Sequence, residues 1–130
     1  MWTAGGWRDR GLNLEAEIRH QGPIAFGGAA VFAAEPGLER QVLASGEQMM
    51  LVRHVMQAGW EGARHCHPHE QLVYVIRGRL IFTRGDEKFE VLSGGTFVVA
   101  GGIEHQATAL EDSEVLDVFA PPRKDYEGLR

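Results

Sequence analysis

Short apolar, β-branched runs recur along the chain, separated by glycines and by turn residues. That punctuation predicts many short strands. The runs fall at 29–34, 41–44, 49–57, 72–77, 79–84, 88–92, 96–100, 106–110 and 115–119. In the clearest of them, Gln71, Val73 and Val75 share one face while Leu72, Tyr74 and Ile76 share the other, because successive strand residues point to opposite sides. Gly78 breaks one hairpin, and Gly85 to Glu87 supplies turn chemistry for the next. The pattern is all-β, and its even spacing predicts a sandwich or barrel that limits open edges. Only 12–20 has helical character, and it belongs to an N-terminal arm carrying Trp2 and Trp7.

A chain of 130 residues fits one domain with a real core. We expect a single domain over 1–130, with the arm at 1–30 and the barrel core at 41–120. The formal net charge is −5, which gives no electrostatic reason to expect nucleic acid or an anionic membrane as partner. A small molecule is the expected partner. The single cysteine, Cys66, cannot form an internal disulfide, and the N-terminal stretch has charges where a signal peptide needs apolar residues. The expected location is therefore cytoplasmic.

Candidate chemistry concentrates in "ARHCHPHEQLVYVIRG", residues 63–78. If this segment is extended, His65 and His67 converge on one side and Cys66 points away, where it reads as a small buried hydrophobe. Two parallel imidazoles are half of a metal site. Gln71 continues the same face, and His105, after a strand and a Gly-Gly turn, is the best further ligand. Pro68 takes His69 out of the alternation, which makes it a rim residue, and Glu70 should face away from Gln71. His20 and His54 lack ligand spacing and read as structural histidines.

Gly59, His65, His67, Gln71 and Gly78 resemble the first motif of the cupin superfamily, and Gly94, Gly102 and His105 resemble the second. The resemblance implies a double-stranded β-helix, the jelly-roll barrel, with one divalent metal ion held by His65, His67, Gln71 and His105. Ala100 and Ala109 replace a proline and an asparagine usual in the second motif. Gln71 stands where the motif has glutamate. A neutral amide leaves the ion its full charge, which fits polarisation of an oxygen better than oxygen activation by iron.

The ending "DVFAPPRKDY", with "PGLERQVL" and "HPHEQLVYV", is similar to the KdgF-type cupins, which convert 4,5-unsaturated monouronates to linear ketonised uronates. This likeness implies that Asp117, Phe119 and Arg123 line the site. Asp117 would move a proton, Arg123 would pair with a substrate carboxylate and Phe119 would contact the substrate. Alternatives are an aromatic polyketide cyclase, a metal-dependent dioxygenase and a non-catalytic small-ligand-binding barrel. Cupins commonly pair, so a homodimer is expected.

Overall fold

The computed structural model describes residues 22–25 and 27–127. Nine strands follow in order: β1 (Phe32–Glu35), β2 (Leu38–Ser45), β3 (Met50–Met56), β4 (Glu70–Arg77), β5 (Arg79–Arg84), β6 (Glu87–Leu92), β7 (Thr96–Val99), β8 (His105–Ala109) and β9 (Ser113–Ala120). A single turn of helix, α1 (Lys124–Glu127), follows. All nine predicted runs are strands. The largest differences lie at the start: the first run moves to β1, and β2 begins three residues earlier than expected, because Pro36 and Gly37 form the turn between them. The expected helix at 12–20, and most of the arm, lie outside the described residues.

A six-stranded sheet, ordered β1-β2-β3-β9-β4-β7, faces a three-stranded sheet ordered β6-β5-β8, and every pairing is antiparallel. This is the all-β jelly-roll expected from the strand pattern. Alternation builds the core: Val73 and Val75 are buried while Leu72, Tyr74 and Ile76 are exposed. Leu38, Met56, Leu80, Phe82, Val91 and Val115 fill the space between the sheets with Val73 and Val75. Phe82, Phe89 and Phe97 meet edge to face or stacked at one end of this core, with centroids as close as 4.5 Å.

The inner face of the large sheet turns polar in one place. His54 on β3, Asp117 on β9 and Gln71 on β4 all occupy inward positions of neighbouring strands and all are buried. A buried polar group without a partner costs several kcal/mol, roughly 2–7, so such a cluster needs internal hydrogen bonds or a ligand. The fold thus places its chemistry on the rigid centre of the sheet.

Gly78, between β4 and β5, cannot be another residue cheaply. Its φ is +101°, and a Cβ there would lie 2.1 Å from the Oγ of Ser113, itself fully buried. Gly78→Ala combines left-handed strain with a steric clash and should cost about 2–4 kcal/mol of unfolding free energy. Urea denaturation checks this, and a loss below roughly 0.5 kcal/mol, the range of neutral surface changes, would contradict it.

Candidate metal centre

His65 and His67 precede β4 in an extended loop, not in a strand as the alternation argument supposed. What aligns them is a backbone bridge: His65 N donates to His105 O at 3.0 Å, and His105 N returns to His65 O at 2.8 Å. Gly102 N also donates to His67 O at 2.8 Å. The loop can approach this closely because residue 101 is glycine; a Cβ there would sit 2.2 Å from the carbonyl oxygen of Pro68. The three imidazoles therefore converge, with one ring nitrogen from each lying within 4.8 Å of the others.

Each ring is oriented by the same device. Nδ1 of His65 faces the Ala63 carbonyl at 2.9 Å, Nδ1 of His67 that of His69 at 3.0 Å, and Nδ1 of His105 that of Ile103 at 2.8 Å. A carbonyl only accepts, so each Nδ1 carries the proton and each neutral ring keeps a bare Nε2. Burial, then the positive charge of Arg123 and neighbouring His105, holds His67 below the usual imidazole pKa. Burial likewise lowers His105. The buried Nε2 of His105 has no hydrogen-bond partner. Neutral rings with converging lone pairs suit a divalent cation, and metal-bound imidazoles are held by their second nitrogen in this way.

The fourth donor is set by a chain that starts at an arginine. Arg40 Nε donates to His54 Nε2 at 2.9 Å, which leaves the His54 proton on Nδ1, 2.7 Å from Asp117 Oδ2. The other carboxylate oxygen accepts from Gln71 Nε2 at 2.8 Å. That bond fixes the amide, and Gln71 Oε1 must then face His67 Nε2, 3.1 Å away. Two acceptors at hydrogen-bond distance repel unless a cation lies near them. Gln71 and the three histidines thus fit a metal ion as a neutral set of donors.

A cavity of about 340 Å³ opens beside this cluster, lined by Arg40, His54, Trp60, Asp117, Phe119 and Arg123 among others. Its size suits a small molecule. Arg123 is nearly enclosed, with 12 % side-chain exposure, and does not hang in solvent as a short tail would allow. Its Nε and one Nη donate to the two oxygens of Asp125 at 3.0 and 2.8 Å, which holds that carboxyl below its usual pKa. The guanidinium also stacks on Tyr126 and Phe119.

Comparison with known proteins agrees with this architecture. The cupin-domain family model matches residues 52–119, a little over half of the chain. The chain belongs to the cupin family. An uncharacterised protein of Streptomyces coelicolor is 31 % identical over 91 residues, 69 % of this cupin and 86 % of the relative. The crystal structure of an RmlC-like cupin from Shewanella frigidimarina superposes with a TM-score of 0.78 at 27 % identity, covering 83 % of this cupin and 98 % of the other chain. KdgF from a Halomonas species superposes with a TM-score of 0.76 at 32 % identity, covering 81 % and 98 %.

All seven residues singled out from the sequence gather at this one end of the cupin barrel: His65, His67, Gln71 and His105 at the donor cluster, with Asp117, Phe119 and Arg123 beside it. Glu70 faces away, exposed. Cys66 is a correction: it is exposed to solvent and is not a buried hydrophobe. His69 lends its carbonyl to His67 and packs on Phe119. His54 is a hydrogen-bonded core histidine, as read, but its partner is Asp117, which brings it into the site. Its signal was present, since His54 alternates inward with Met50, Val52 and Met56. Arg40 and Tyr126 lie within the stretches that carry the KdgF-type likeness, "PGLERQVL" and "DVFAPPRKDY", but were not singled out there.

Three outcomes follow for this site. His105→Ala should reduce the divalent metal bound per chain to well below one, measured by elemental analysis of protein prepared without chelator; full metal retention would contradict the assignment. Asp117→Asn, which unfixes the Gln71 amide, should weaken metal binding by about 10- to 100-fold in a competition titration, and unchanged affinity would sink the clamp. His67 and His105 bind a proton less readily folded than unfolded, so metal-free protein loses their contribution as pH falls through and below about 6.5, the unfolded histidine value. Melting temperatures of the metal-free protein should fall across that window; a rise there would contradict it.

Proposed function

We propose that this cupin is a metal-dependent enzyme that opens and ketonises 4,5-unsaturated monouronates. The observation that carries the reading is the uncharged donor set, with Gln71 Oε1 turned toward His67 by the Asp117 carboxylate. The likeness to KdgF of Halomonas, at 32 % identity across nearly its whole length, supports the same reading. His65, His67, Gln71 and His105 would hold a divalent cation, whose chemistry there is that of a Lewis acid toward an enol or carbonyl oxygen.

The remaining work falls to the chain's own groups. Arg40, which has no acidic partner among the described residues, adds positive charge to the cavity lining, and that favours a carboxylate-bearing substrate. Phe119, fully buried and edge-on to His67, keeps water from that side of the cluster. Asp117 is the acid–base group. Its carboxylate accepts from the His54 N–H and the Gln71 amide, which fix its orientation beside the donor cluster. The net change is an isomerisation: the anomeric hydroxyl gives up a proton, the ring C–O bond breaks, and the enol gains a proton on carbon as it becomes a ketone.

The test is to mix metal-loaded protein with an unsaturated monouronate and follow loss of the enol-ether absorbance. We expect a rate far above that of buffer, lowered at least 100-fold in Asp117→Ala as for loss of a general acid–base group. No acceleration by the metal-loaded wild type would overturn the reading.

A further inference from the structure

The two arginines of the cavity differ in how their charge is compensated. Arg123 is paired with the Asp125 carboxylate at two points. Arg40 has no acidic partner among the described residues. Its Nε is committed to His54, its face lies 4.0 Å from the Tyr126 ring centroid, and neither Nη group makes a hydrogen bond among the described residues. A half-buried guanidinium held on two sides, with its outer pair of donors free at a cavity wall, is a preorganised fork for a carboxylate.

Held this way, the fork loses little side-chain freedom when a ligand arrives, which is where a loose surface arginine gives up affinity. Tyr126 is itself buried and packs edge-on to Phe119 and His54, so the platform under the guanidinium is fixed. Arg40 and the donor cluster are joined through His54, Asp117 and Gln71, so the fork and the cluster stand on the same rigid strands β2, β3, β9 and β4.

We infer that Arg40 forms the carboxylate subsite of the cavity, with its two Nη groups as donors, while the charge of Arg123 is already taken up by Asp125. The substrate class is then a small polyhydroxy acid. Its carboxylate sits at the β2 wall while its hydroxyl or carbonyl oxygens reach the histidine end. This rests on the proposed uronate reading for the identity of the acid, although the subsite itself is argued from Arg40 alone.

Calorimetric titration of metal-loaded protein with glucuronate and with glucose measures the subsite directly. The wild type should prefer the acid by roughly 10- to 100-fold, the scale of a charge-assisted two-point contact. Arg40→Gln should bring that ratio to within about threefold of one, Arg40→Lys should restore part of it, and Arg123→Gln should lower it by less than threefold. An Arg40 that only orients His54 would weaken both sugars alike and leave the ratio intact, which overturns the inference. So does a wild type that shows no preference, or a preference lost in Arg123→Gln and kept in Arg40→Gln. Metal content and melting temperature, measured on each variant, separate lost binding from lost folding. A kept ratio in Arg40→Gln beside turnover of unsaturated uronate sinks the subsite and leaves the function standing. An Arg40-dependent ratio without turnover does the reverse.

Discussion

An arginine can only donate hydrogen bonds, and from that one fact the donor order from His54 through Asp117 to Gln71 follows. Arg40 donates to His54, so His54 must donate to Asp117. Asp117 can then only accept, which forces Gln71 to present its amide N–H to the carboxylate and its carbonyl to the histidines. Three backbone carbonyls impose the same order from the other side by taking the Nδ1 protons of His65, His67 and His105. Both sequences end on acceptors that face one another. Such an arrangement is unfavourable by itself and becomes favourable around a cation.

The fold makes that concentration of polar groups tolerable. His54, Asp117 and Gln71 sit on three adjacent strands in the middle of the large sheet, where backbone hydrogen bonds run on both sides. Around them Val52, Val73, Val115 and Phe119 fill the inner face. Their side chains are therefore fixed by packing, and each buried polar atom of this trio that the sheet removes from water meets a partner. His65 and His67 come from outside the regular sheet, on a loop locked to His105 at the start of β8 by paired backbone bonds and a glycine contact. Rigid strands hold the acid, the amide and His105, and a pinned loop brings His65 and His67 to them.

Much of this was legible in the sequence because it depends on period two. The strand runs, the inward set Gln71, Val73 and Val75 and the shared face of Asp117 and Phe119 all follow from alternation. The spacing of His65, His67, Gln71 and His105 carried the donor set, through the cupin motif. What alternation could not supply was contact between strands distant in sequence. His54 and Asp117 lie 63 residues apart, and only the β3–β9 pairing makes them neighbours. Arg40 lies in the stretch "PGLERQVL", but its placement depends on Tyr126 in a helix of one turn that no pattern announced. Cys66 failed for a simpler reason: alternation tells which way a side chain points, and not whether protein or water lies there.

The central claim is that the donor order imposed by Arg40 and by the backbone creates a neutral four-donor metal site. A crystal structure of the protein loaded with a single divalent metal, at a resolution that distinguishes ligand atoms, tests it most directly. The account predicts coordination by Nε2 of His65, His67 and His105 and by Oε1 of Gln71, with the Gln71 amide nitrogen still within hydrogen-bond distance of Asp117. Coordination through any Nδ1, ligation by Asp117 in place of Gln71, or a Gln71 side chain turned away from the ion would contradict it.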